Sequence, residues 1–136
     1  MKIINSCGLV AVFAFFALSV MSSCDKGKLP NIAFKTGGTY VSGDKTVTKN
    51  DTLTVGLTAS KAESEDVLKT FSETVSYDGA AATSVVNVSL SGTQGDAYDK
   101  DIQIITRNQM GTEKYSFTVV NRDGLTNTVS LTLTVQ

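Results

Sequence analysis

The chain of 136 residues carries 12 basic and 13 acidic side chains, a net charge of −1, with no histidine, no tryptophan, one proline and two cysteines. That balance lacks the concentrated basic face a nucleic-acid partner requires, and zinc sites built from Cys and His are excluded along with the commonest general base. Ser-Lys or paired-carboxylate catalysis stays open on residue types alone, but most carboxylates fall in polar, turn-like stretches, so the chain is expected not to be an enzyme and to need no cofactor.

The first element is a leader. Lys2 precedes the apolar run Leu9 to Val20, "LVAVFAFFALSV", which exits through Ser22 and Ser23. A positive start, roughly a dozen apolar residues and a small-residue exit form the plan of a secretory signal. The run is too short for a membrane-spanning helix, which needs about 20 apolar residues. Residues 1–23 are therefore expected to be removed, taking Cys7 with them and leaving Cys24 as the single cysteine. Exported proteins pair their cysteines or avoid them, so a lone thiol at a new N-terminus suggests that it is consumed chemically.

Met21-Ser22-Ser23-Cys24 resembles the lipobox of bacterial lipoproteins, with Met21 standing where Leu is usual. The resemblance implies that the Cys24 thiol is joined to a diacylglycerol and its amine acylated after cleavage. One acyl chain binds a membrane reversibly, whereas two or more give stable anchoring. The expected location is the bacterial outer membrane, with the membrane itself as the lipid's partner. In Bacteroides-type bacteria, acidic residues just after the lipidated cysteine resemble a signal for surface display. Here Asp25 is followed at once by Lys26 and Lys28, which leaves the periplasmic and cell-surface faces both open. The mature chain keeps 11 basic and 13 acidic side chains, enough residues for one domain with its own core.

Residues 24–30 read as a polar tether, and residues 31–136 as the domain. Apolar and Ser/Thr residues alternate along "DTLTVGLTAS", "SVVNVSLSG" and "TVSLTLTV", the period of a strand with one buried face. Turn signals at Gly37-Gly38, Ser42-Gly43-Asp44, Lys49-Asn50-Asp51, Asp78-Gly79, Gly92 to Gly95 and Asp123-Gly124 separate the runs. The predicted strands are 31–36, 45–48, 52–60, 68–77, 84–91, 101–107, 113–121 and 126–135, with one helical turn at Ala62 to Asp66. Seven or eight short strands fit an all-β, immunoglobulin-like two-sheet antiparallel sandwich, with a closed barrel as the alternative. "GTEKYSFTVVNRDGLTNTVSLTLTV", Gly111 to Val135, resembles the closing hairpin of PKD-type and related bacterial Ig-like domains. The whole mature chain resembles small lipoproteins of Bacteroides-type bacteria. The resemblance implies that Tyr115, Phe117 and Val119 fill the core from the penultimate strand.

Three groups of residues are candidate sites. Asp96, Asp99 and Asp101 in "GDAYDKD" are a weak calcium set, since calcium takes six to eight oxygens, though Lys100 interrupts them and the plainer reading is a solvated loop. Tyr40, Tyr77 and Tyr98 stand beside turns and are candidate glycan contacts, against the plainer role of half-buried caps. Asp51-Thr52-Leu53 resembles the Asp-Thr/Ser-aliphatic sequence of O-glycosylation in Bacteroides-type bacteria, with Thr52 as acceptor. The resulting expectation is a lipid-anchored, non-catalytic binding or interaction module for an unidentified protein or glycan, with specificity in loops near 37–44, 78–83, 92–100 and 108–112. The alternatives are a carbohydrate-binding accessory of a polysaccharide-capture system and a structural surface or adhesin subunit.

Overall fold

The computed structural model of the chain describes residues 27–136, and the leader and Cys24 lie outside them. In chain order the elements are β1 (Asn31–Phe34), β2 (Lys45–Val47), β3 (Thr52–Ser60), β4 (Leu68–Tyr77), β5 (Thr83–Ser89), α1 (Thr93–Asp96), β6 (Ala97–Ile105), β7 (Gly111–Asn121) and β8 (Thr126–Val135). Period-two alternation builds them as the sequence leads one to expect. On β3, Leu53, Val55, Leu57 and Ala59 are buried while Thr52 and Thr58 are exposed. On β7, Tyr115, Phe117 and Val119 point into the core, and on β8 Leu131, Leu133 and Val135 do the same. Phe117, Val119 and Leu133 have no solvent exposure at all, and burying each such side chain stabilises the fold by about 1.5–3 kcal/mol.

The strands form two sheets, a three-stranded one in the order β1-β3-β6 and a five-stranded one in the order β2-β8-β7-β4-β5. They face each other as an immunoglobulin-like sandwich. Phe34 of β1 meets Phe117 of β7 edge to face, with ring centroids 6.0 Å apart. At the other side, Tyr98 of β6 packs on Phe71 of β4 at 5.3 Å. One pair departs from the expected antiparallel pattern. After β1 the chain crosses from the small sheet to the large one, so β2 arrives running the same way as β8 and pairs with it in parallel.

Turn chemistry sets the hairpins. Asp78 and Gly79 have φ of 52° and 78° in the β4–β5 turn, a conformation in which Gly is unstrained and Asp is among the residues that tolerate it. The β7–β8 turn closes through Gly124, at φ 79°, whose N–H donates to the Asn121 carbonyl at 3.1 Å.

Three local expectations are corrected. The segment Ala62 to Asp66 is a turn, closed by the Asp66 N–H donating to the Glu63 carbonyl at 3.2 Å, rather than a helical turn. The short helix is instead α1, between β5 and β6. Strand β6 begins at Ala97 rather than 101, because β3 offers a continuous ladder that pairs Ser60 with Ala97, Thr58 with Asp99 and Gly56 with Asp101. The acidic side chains that made this stretch read as a loop sit exposed on the outer face of the sheet, where they stay hydrated.

The chain direction gives the sandwich two poles. Residues 27–30, the 61–67 turn, α1 and the 122–125 turn lie at one, the lower pole; the 48–51, 78–82 and 106–110 turns lie at the other, the upper pole.

Candidate functional site

The outer face of the three-stranded sheet carries a polar cluster built over a glycine. Lys35 follows β1, and its N–H donates to the Gly56 carbonyl at 2.8 Å. Tyr40 bridges to Thr54 in parallel fashion. Both side chains therefore cross β3 at Gly56, where a Cβ would stand 2.7 Å from the Lys35 Cδ and from the Tyr40 Cε1. Their polar ends converge on Asp101: Lys35 Nζ donates to Oδ1 at 2.8 Å, and the Tyr40 hydroxyl donates to Oδ2 at 3.0 Å. The Lys35 ammonium holds the Asp101 carboxyl below its ordinary range, with the Tyr40 bond adding to the effect. Asp101 in turn raises the Lys35 ammonium and the Tyr40 phenol.

The three aspartates of the weak calcium set have separate surroundings in this arrangement. Asp101 is engaged by Lys35 and Tyr40, and Asp96 pairs with Lys61 at 2.6 Å. Asp99 shares the outer face of β6 with Asp101, and Asp96 lies before the strand. Among the described residues no group of three or more His, Cys, Asp or Glu side chains is placed to hold a metal ion.

The three tyrosines separate. Tyr98 turns inward onto Phe71 and packs against the core. Tyr40 lies across Gly56 in the cluster just described. Tyr77, at the upper pole, is 36% exposed and carries the Arg107 guanidinium 4.2 Å above its ring centre. Thr52 opens β3 with its side chain exposed, paired to Ile105. Ser42 and Lys45 also stand at Ser-x-x-Lys spacing, but they lie in extended chain and at the start of β2, without the helix that would bring residues three apart onto one face.

The most connected polar network belongs to the upper pole, and the sequence reading did not find it. Glu113 is fully buried at the start of β7. Its Oε1 accepts from the Arg107 N–H at 2.9 Å and from Arg107 Nε at 3.0 Å, and its Oε2 accepts from the Tyr115 hydroxyl at 2.9 Å. The Arg107 Nη2 also donates to Asp78 Oδ2 at 3.0 Å and to the Thr112 carbonyl at 3.3 Å. The Thr112 N–H donates to Asp78 Oδ1 at 2.8 Å, and this bond, with Arg107, holds the Asp78 carboxyl low. Burial, then the neighbouring Glu113, pushes the Tyr115 phenol far up. Beside the network, Thr106 is buried, accepting from the Asp51 N–H at 2.9 Å and donating to the Thr48 carbonyl at 2.8 Å. The turns of this end are thus tied into one rigid pole, around which Ile105 and Met110 remain 67% and 62% exposed.

The lower pole is organised by Asn121. Its Nδ2 donates to the buried Asp66 at 2.6 Å and to the Lys28 carbonyl at 3.4 Å, and its Oδ1 accepts from the Asp123 and Leu125 N–H groups at 3.1 and 2.8 Å. Asn127 Nδ2 donates to the Pro30 carbonyl at 2.8 Å. The entering chain is therefore fastened here. A groove of about 400 Å³ lies nearby, lined by Ala33, Thr58, Ser60, Ala97, Asp99 and Asn127 among others. No helix of the described residues is long and apolar enough to cross a membrane.

Comparison with known proteins adds the fold alone. No protein-family model matches the sequence, and a search of curated proteins gives no match. Among solved structures, a superoxide reductase (neelaredoxin) from Ignicoccus hospitalis superposes with a TM-score of 0.53 at 9% identity, over 80% of this chain and 81% of that one. A variant of that reductase gives the same TM-score at the same identity, over 79% and 80%. The CARDB domain of a Pyrococcus furiosus protein, solved in complex with di-metal ions, gives a TM-score of 0.48 at 19% identity over 81% and 91%. The likeness is one of fold. A shared sandwich does not carry a shared chemistry.

Proposed function

We propose that this protein is a lipid-anchored, non-catalytic immunoglobulin-like module of a bacterial outer membrane, which presents its upper pole to a protein or glycan partner. The leader and the lipobox-like Met21-Ser22-Ser23-Cys24 motivate the anchor. The observation that carries the presenting role is the polarity of the sandwich. The chain that follows Cys24 is fastened at the lower pole, through Lys28 to Asn121 and Pro30 to Asn127. Of the exposed large apolar side chains, Tyr77, Ile105 and Met110 gather near the opposite pole, around a network that fixes the turns there, while Leu29 lies at the lower one. A rigid surface with an amphipathic ring and a few apolar side chains loses little entropy on binding.

The glycan reading has one specific support, the exposed Tyr77 ring at the upper pole, which Arg107 covers on one face only. Edge-to-edge adhesion through every sheet margin has less, since β1 and β2 are short and β6 carries charge at its centre. The test of the anchor is mass spectrometry of the mature N-terminus from the native host. A first residue of acylated Cys24 supports the reading, and an unacylated N-terminus at another residue defeats it. The test of the pole is retention of the protein on a panel of immobilised host and bacterial glycans and surface proteins. Tyr77→Ala and Met110→Asp should each abolish retention, whereas Thr58→Asp near the lower pole should not.

A further inference from the structure

We propose that β5 is a self-pairing edge through which two copies of this chain join their five-stranded sheets into one continuous sheet. Among the described residues the sandwich has four margins, β1 and β6 in one sheet and β2 and β5 in the other. Exposed edges present unpaired N–H and C=O groups, and proteins usually blunt them by shortness, proline, charge or irregularity. Strand β1 has four residues and follows Pro30; β2 has three. Strand β6 is long but carries Asp99-Lys100-Asp101 at its centre. A two-fold pairing of β6 through Lys100 would set Lys against Lys and Asp99 against Asp101, so it repels its own copy.

Strand β5 differs. Its sequence, TSVVNVS, has no charge and no proline, and is rich in β-branched residues. Its ladder to β4 is regular from Ser89 with Thr70 to Val86 with Glu73, and the bulge lies beyond, leaving Val85 without a partner and 53% exposed. Val86 and Val88 face the core side yet are only partly buried, because no strand of the described residues covers this margin of the sheet. The occupant must be a strand, since backbone groups are what the edge leaves unpaired. A second copy fits it: antiparallel pairing centred on Asn87 opposes Val86 to Val88 of the second copy twice over. These β-branched pairs extend the core face across the junction. Asn87 and Ser89 lie exposed on the outer face, where no charge is buried.

The test uses cysteine at the symmetry centre. Cβ atoms directly opposed across antiparallel strands lie about 4.5–5.5 Å apart, close to disulfide reach. Membranes carrying full-length Asn87→Cys are run on non-reducing gels beside wild type, which gives the background from Cys24, and beside Gln103→Cys on the outer face of β6. The expected result is a disulfide-linked dimer several-fold stronger for Asn87→Cys than for Gln103→Cys, and lost when Ser89→Pro is added, which removes an N–H from the open edge and leaves the Leu90 bond to Lys69 in place. Circular dichroism of each variant confirms an unchanged fold. A dimer no stronger than that of Gln103→Cys, or one indifferent to Ser89→Pro, overturns the proposal.

Discussion

Gly56 gives the sharpest quantitative test of how the outer cluster is built. Its φ is not in the left-handed region, so the backbone accepts alanine, and replacing a mid-strand glycine gains about 0.5–1 kcal/mol from unfolded-chain entropy. Against that gain stands the new Cβ, 2.7 Å from both the Tyr40 ring and the Lys35 stem. Forcing an extra methyl into packed surroundings costs about 1–3 kcal/mol. Because Asp101 holds the Tyr40 ring in place, the upper part of that cost, about 2–3 kcal/mol, applies, and the net expectation for Gly56→Ala is a loss of about 1–2.5 kcal/mol. That lowers the melting temperature by at least about 4 °C in a domain of this size. In a Tyr40→Ala background the ring is gone and the flexible Lys35 stem can swing into its place, so the same substitution should change sign and stabilise by about 0.5 kcal/mol. The assay is urea denaturation of the four proteins followed by circular dichroism, with the m-value as a check that the denatured state is unchanged. Equal destabilisation in both backgrounds, or no effect in the wild type, refutes the idea that Gly56 exists to let these side chains cross.

Other perturbations have directions fixed by single contacts. Tyr115→Phe removes the hydroxyl that donates to the buried Glu113 carboxylate, and it should cost about 1.5–3 kcal/mol in the same urea titration. Asn121→Ala strips the buried Asp66 of its amide donor and the 122–125 turn of its acceptor. It should cost about 3 kcal/mol and speed hydrogen exchange at Asp123 and Leu125 first. Glu73 lies buried on the core side of β4, and burial raises its carboxyl despite the opposing pull of Lys100. A raised folded-state value means that the folded protein binds the proton more tightly. Stability therefore falls as pH rises from the ordinary carboxylate range through the raised value, and stays lower above it. Glu73→Gln should remove that decline and stabilise the protein at neutral pH, measured by melting temperature between about pH 4 and 8. An unchanged pH profile would show that Glu73 is hydrated in the folded state.

The period-two runs on β3 and β8 were legible because each has one buried face and one wet face, and local pattern records that contrast directly, whereas the core face of β7 came from the resemblance of the closing hairpin. Strand β6 was legible only in its second half. Asp96, Asp99 and Asp101 give it the local look of a loop, and only pairing with β3 makes a strand of it. The parallel arrival of β2 was equally hidden, since it depends on where the chain crosses between sheets. Among candidate sites, the tyrosines were recognised as residues beside turns, but their surroundings were not: Tyr98 packs on Phe71, whereas Tyr77, in phase with Phe71 and Val75, is exposed because it stands at the open upper end of β4. The Arg107–Glu113–Asp78 network spans 29 positions between Asp78 and Arg107, beyond the reach of any local signal. One clue was present. Glu113 falls in phase with Tyr115, Phe117 and Val119, so the alternation itself places a carboxylate on the inward face. Glu73, in phase with Phe71 and Val75, carries the same clue.

The central claim is that Cys24 ties this sandwich to a membrane by its lower pole. The direct measurement is the partition of wild type and Cys24→Ala between washed outer membranes and the soluble fraction of the native host. Wild type is expected to stay with the membrane through alkaline washing, while Cys24→Ala loses that wash-resistant association. Retention of Cys24→Ala on the membrane to the same extent as wild type would contradict the claim.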